Sequence, residues 1–219
     1  MPFSPIYLIL FLLLLGGLVG IAQVGLVEFT FAKLGLSSHS AFVLLFSSLI
    51  GSAINLPLFS VRAETTQPPL EPFFHGLLRS AAPSSPGRTV IAVNLGGCLI
   101  PLTLCFYLIM HTPLQLSQLI PAVAIVAAIS YAMSRPINGL GVGMPPFIAP
   151  ITAALVSMSI NRELCAPLAY ISGVLGVLIG ADILRLKDIQ RMGPPVASIG
   201  GAGTFDGIFL TGILAVLLT

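Results

Sequence analysis

The chain has 219 residues, is 56% hydrophobic and only 7% charged, and carries a formal net charge of +2 with a mean hydropathy of +1.06. An ordinary soluble domain carries roughly 25% charged residues, so this composition excludes a water-solvated surface and makes lipid the expected solvent. No run of Lys or Arg is present, which argues against a nucleic-acid partner.

Apolar stretches long enough for helices cover about 6–27, 40–60, 89–110, 118–134, 146–160, 166–184 and 203–218. They predict an all-α fold, a polytopic transmembrane helical bundle with about seven apolar segments forming one integral membrane domain over residues 1–219. The first stretch lacks a basic n-region and an A-x-A cleavage signal, and its apolar run continues through Val27. It reads as a first span and not as a removed leader. The connection at about 62–88 is rich in Pro, Ser and Thr and reads as a flexible cytoplasmic loop. Within it, EPFFHGLLR at 71–79 predicts a short interfacial helix. Segments four and five are short, and SRPINGLGVGMPPFIAP runs between them at 134–150. That stretch suits either a helical hairpin with a tight turn or broken, re-entrant helices lining a site.

Arg62, Arg79, Arg88, Arg135, Arg185, Lys187 and Arg191 follow the even-numbered segments, whereas only Lys33 and Arg162 follow segments one, three and five. Because positively charged loops stay inside, the expected topology has a cytoplasmic N-terminus and an external C-terminus, in a prokaryotic inner membrane. Gly16 and Gly20, Gly176 and Gly180, and Gly203 and Gly207 recur at a spacing that lets helices approach closely.

Two acids interrupt the apolar sequence near the same predicted face. Asp206 is separated from Thr219 only by uncharged residues. A helix over that stretch rises about 20 Å, which holds Asp206 within the bilayer. Asp182 lies in GVLIGADILRL, towards the cytoplasmic end of segment six. Two adjacent carboxylates cannot both ionise easily and can share a proton, the arrangement used to activate water or to hold a proton or cation. Plainer roles are open too. Asp182 and Arg185 are suitably spaced for a local ion pair, and Asp206 is suitably placed near a helix N-terminus. Arg135 is the expected counter-charge. Asn55 and Asn94, near the cytoplasmic ends of their segments, complete the candidate binding set of Asp206, Asp182, Arg135, Asn55 and Asn94, in which the two acids are the candidate catalytic groups. An interhelical amide bond of ~0.6–2 kcal/mol also suits a structural role for the asparagines.

His39, His75 and His111 fall in separate connections, and Cys98, Cys105 and Cys165 stand in apolar sequence without CxxC spacing. The cysteines read as small hydrophobes, and neither a metal nor a cofactor is expected.

AVNLGG-x-x-IP at 92–101, SRP-x-x-G-x-G at 134–142 and PVASIGGAGTFDGIFLTG at 195–212 resemble the blocks of an uncharacterised family of prokaryotic multi-spanning membrane proteins, a domain of unknown function. The resemblance implies an inner-membrane location and brings no activity with it. GAGTFDGIF is more distantly similar to the G-x-G-D motif of intramembrane aspartyl proteases. Gly201 and Gly203 stand for its glycines, but Thr204 and Phe205 intervene before Asp206, and no P-A-L motif follows.

The expected function is binding or translocation of a small solute, proton or cation through a cytoplasmic-side polar cavity. The alternatives are a non-catalytic subunit or assembly factor of a membrane complex, and an aspartyl protease-like hydrolase. The expected partners are the lipid bilayer and other membrane subunits.

Overall fold

A computed structural model describes residues 25–26, 28–62, 88–137, 141–188, 196–201 and 207–219. The expected segment at 6–27 and the expected interfacial helix at 71–79 fall almost wholly outside these residues.

Helix α1, Ser38–Gly51, starts where Ser37 leaves the helical conformation and its Oγ accepts the Ser40 N–H at 3.2 Å. It does not continue to residue 60. Strand β1, Asn55–Arg62, follows it and pairs antiparallel with β2, Arg88–Asn94. Helix α2, Leu95–His111, grows directly from β2 through a π-helical turn at Leu95–Leu99. Helix α3, Leu116–Met133, is followed by a small hairpin of β3, Arg135–Ile137, and β4, Gly141–Gly143. Helix α4 spans Ile148–Ile160, and the Asn161 side chain then accepts the N–H groups of Glu163 and Leu164, both at 3.0 Å, to launch α5. Helix α5 runs Cys165–Asp188 and contains a second π-helical turn, Leu178–Ile183. Strand β5, Val196–Ile199, lies parallel to β2 and leads towards α6, Gly207–Leu217.

The chain is mostly helical, but the all-α expectation requires correction: a three-stranded sheet in the order β1-β2-β5 and the β3–β4 hairpin accompany the helices. A short apolar run has the same hydropathy whether it is a buried strand or a helix. Here Pro57 disfavours a helix across NLPLFSVR, and the β-branched residues of TVIAVN favour extended backbone. The Pro/Gly-rich stretch after α3 is accordingly an extended hairpin that joins two intact helices.

Helix α5 is the axis of the bundle, with both faces buried along most of its length. Small residues set its contacts. A Cβ on Gly176 would stand 2.5 Å from Val126 of α3, and one on Gly180 would stand 2.2 Å from the Ala127 carbonyl. A Cβ on Gly212 of α6 would stand 2.8 Å from the Tyr170 ring. These are the close approaches that the Gly176/Gly180 spacing predicts.

Surrounding helices turn large apolar side chains outward, among them Phe46 and Ile50 of α1, Phe106 and Met110 of α2, and Leu116 and Ile120 of α3, all 47–67% exposed. Helices α3 and α5, of 18 and 24 residues, are long and apolar enough to cross a membrane. They rise ~27 and ~36 Å respectively. Among the described residues the other apolar helices are shorter, at 10–17 residues.

Candidate functional site

The sheet meets the helices at Asn94, the last residue of β2 and the N-cap of α2. Its side chain is 1% exposed, so each of its polar atoms needs a protein partner. The Gly97 N–H donates to Asn94 Oδ1 at 2.7 Å, satisfying one of the orphan amides at the helix start. Asn94 Nδ2 donates to the Ser52 carbonyl at 2.7 Å and to Asn55 Oδ1 at 3.1 Å. Asn55 and Asn94 are directly opposed in the β1–β2 register. Asn55 Oδ1 also accepts a short hydrogen bond from Ser198 Oγ of β5. One amide network therefore ties together the end of α1, three strands and the start of α2.

Glycines let the backbones come this close. A Cβ on Gly96 would lie 1.9 Å from the Ser48 carbonyl, and Ser48 Oγ donates to the Gly96 carbonyl at 2.6 Å. Gly200 adopts φ +76°, in the left-handed region that favours glycine, and a Cβ there would meet Cys98 at 2.6 Å. A Cβ on Gly201 would stand 2.5 Å from Ser198 Oγ and 3.1 Å from Asn55 Oδ1. In the sequence, Gly201 is followed by residues 202–206, and α6 begins at Gly207. Asp206 itself lies outside the described residues.

A second polar group joins the ends of α3 and α5. Arg185 donates from Nη2 to the carbonyls of Tyr131 and Ser134 at 2.8 and 2.9 Å, and from Nε to Ser134 Oγ at 3.2 Å. Its guanidinium stacks 4.2 Å from the Tyr131 ring centroid and forms an ion pair with Asp188 at 3.0 Å. Two carbonyls at the end of α3 thus gain a charged donor, and that of Tyr131 also accepts from Ser134 Oγ at 3.0 Å. Asp182 is half-buried in the π-helical turn just before it. Such turns widen the helix and recur at functional sites. On the facing turn of α3, Ser130 Oγ is buried with no hydrogen-bond partner among the described residues, and a Cβ on Gly180 would be 2.9 Å from the Ser130 Cβ.

The five expected residues are thus distributed unevenly. Asn55 and Asn94 are in contact. Asp182 sits in the other polar group, and Arg135 is exposed in β3, immediately after the Ser134 that Arg185 binds. Sequence reasoning missed Arg185 as the residue that clasps α3, and Ser198 as the third member of the amide network. The signal for Arg185 was an arginine at the end of a membrane-length helix, where the long side chain reaches polar groups at a neighbouring helix end. For Ser198 it was VASI before a diglycine, a strand-and-turn pattern.

A shallow apolar groove of about 260 Å³ between α1 and α2 is lined by Leu36, Ser40, Leu44, Thr103, Leu104 and Tyr107. It holds none of the candidate residues. Among the described residues no three His, Cys, Asp or Glu side chains converge in a metal-binding arrangement. Cys98 and Cys105 are buried free thiols within the apolar packing.

Comparison with curated proteins and with solved structures returns no match. A family model described as a protein of unknown function, DUF1614, matches residues 49–218, which takes in both polar groups and all three resemblance blocks. The chain belongs to the DUF1614 family.

Proposed function

We propose that this is a multi-pass inner-membrane protein that binds and translocates a small solute, proton or cation at the polar end of its bundle. Asp206 is the titrating or coordinating group. The observation that carries this reading is the network of Asn55, Asn94 and Ser198, against which Gly201 packs, and in the sequence Asp206 follows shortly after Gly201. Amides and hydroxyls, together with an acid, can provide both acceptors for a cation and partners for a proton carrier. The half-buried Asp182 and the buried Ser130 hydroxyl extend the polar character to the α3–α5 contact. Outward-facing Phe, Leu, Ile and Met side chains on the surrounding helices support a lipid environment, since a soluble monomer rarely exposes large contiguous apolar patches. By the Lys/Arg distribution the polar end faces the cytoplasm.

The test is flux of protons, Na⁺ and K⁺ into proteoliposomes bearing the full chain. Asp206→Asn should lower flux of the transported ion at least ten-fold while leaving the thermal transition in detergent within a few degrees. Flux that survives Asp206→Asn unchanged sinks the reading. Unchanged flux together with stable co-purification in a larger complex would favour the non-catalytic subunit.

A further inference from the structure

Deep in the bundle, one side chain departs from the rule that buried polar groups are paired. Tyr170, in the second turn of α5, is 1% exposed, and its hydroxyl has no hydrogen-bond partner among the described residues. A hydroxyl buried in this way destabilises the fold, and phenylalanine in the same place would fill the same space without that cost. The ring itself is closely packed. A Cβ on Gly212 of α6 would stand 2.8 Å from both Tyr170 Cε2 and Val174 Cγ2. Carbon contacts therefore fit α5 to α6, and the hydroxyl takes no part in that fit.

Tyr170 stands at the inner end of a line of buried groups that begins at the asparagine network. Cys98 follows Gly97, whose N–H Asn94 caps, and it lies where Gly200 approaches α2. Cys105, ~10 Å further along α2, interacts electrostatically with Cys98 and with Tyr170. All three belong to one buried cluster. Along α5, Tyr170 is ~18 Å from Asp182, so the line leads from the polar end well into the apolar interior.

The chemistry of this line selects what can follow it. A hydroxyl or thiol both donates and accepts a hydrogen bond, and so can receive a proton on one side and release one on the other. An alkali cation must instead exchange its water shell for several converging oxygens. Cys105, Val174 and Gly212 beside Tyr170 supply a thiol and carbon.

We infer that the species moved by this protein is the proton, and that the Tyr170 hydroxyl passes it between two waters inside the bundle. This rests on the ion-translocation reading above and narrows its substrate. In the step, Tyr170 Oη takes a proton from a water on the Cys105 side while its own proton leaves to a water on the other. One O–H bond forms as another breaks, and the tyrosine ends neutral. Rotation about the C–O bond then resets the hydroxyl. Internal waters meet the hydrogen-bonding need that the described side chains leave open.

The experiment uses the full chain in proteoliposomes that contain a pH-sensitive dye, with a valinomycin-clamped K⁺ gradient to drive proton entry and with Na⁺ and Rb⁺ uptake followed in parallel. Wild type should admit protons and neither alkali cation. Tyr170→Phe should lower proton flux at least about ten-fold. Its thermal transition should be unchanged or raised, because a buried hydroxyl without a protein partner adds nothing to folding. Proton flux unchanged in Tyr170→Phe overturns the inference, as does Na⁺ or Rb⁺ uptake by wild type. A large fall in the thermal transition overturns it too, since the hydroxyl would then serve folding. Asp206→Asn in the same assay separates the two failures. Flux that survives it, or wild type without any ion flux, sinks the translocation reading and this inference together. Flux lost in Asp206→Asn but kept in Tyr170→Phe sinks only this one.

Discussion

Asn94 spends its whole amide on structure: Oδ1 on the first turn of α2, and Nδ2 on Ser52 and Asn55. Asn94→Ala removes a helix cap and leaves buried polar groups without partners, so it should cost about 1–3 kcal/mol. That loss reads out as a lower thermal transition in detergent. Asn94→Asp keeps the cap acceptor but loses the amide donor, and should be intermediate. Glycines test the same junction sterically. Gly96→Ala drives a methyl group into the Ser48 carbonyl and should cost at least about 1–3 kcal/mol. Gly207→Ala, at a helix start with nothing within 4 Å of the added carbon, should be neutral or stabilising by up to ~1 kcal/mol. Equal effects at the two positions would mean that the close packing of α1 against α2 is wrong. The asparagines were legible as candidates because amides are conspicuous in apolar sequence. Their bonding was not, since it depends on a strand register that places Asn55 opposite Asn94 from a distant position in the chain.

At the scale of elements, α3 and α5 are held together twice, by glycine contacts along their length and by Arg185 at their ends. Charge-assisted bonds to a partly buried guanidinium are worth roughly 1.5–3 kcal/mol, so Arg185→Ala should lower the thermal transition clearly. It should also speed amide exchange around Tyr131–Ser134. Arg185→Lys should restore less than half of the loss, because an ammonium lacks the planar fork that reaches both carbonyls and stacks on Tyr131. Full rescue by lysine would show that only charge matters. Apolar runs and their breaks made most helices readable: 118–134 and 146–160 differ from α3 and α4 by a few residues at each end. Much of β1 and nearly all of β2 were hidden inside predicted helices. Hydropathy does not distinguish TVIAVN in a sheet from the same apolar residues in a helix, and only pairing with β1 and β5 makes that difference.

For the whole molecule, the expectation is a protein that stays with the membrane after alkaline carbonate washing. Sidedness has a direct probe. Half-buried Cys165, at the start of α5, should react with an impermeant maleimide from outside the cell. A cysteine introduced by Ser60→Cys in a Cys165→Ser background should react only from the cytoplasmic side. Labelling of both positions from one side would refute the orientation. The sequence by itself determined the apolar character, the approximate limits of most helices and the family, because composition, hydropathy and local blocks are properties of a linear string. Only the tertiary structure decided that strands gather beside the helix starts, that Ser198 joins two distant asparagines and that Arg185 serves α3. Each of these rests on hydrogen bonds between segments far apart in the chain, with geometry set by register and close backbone packing, and none is written in any single stretch of residues.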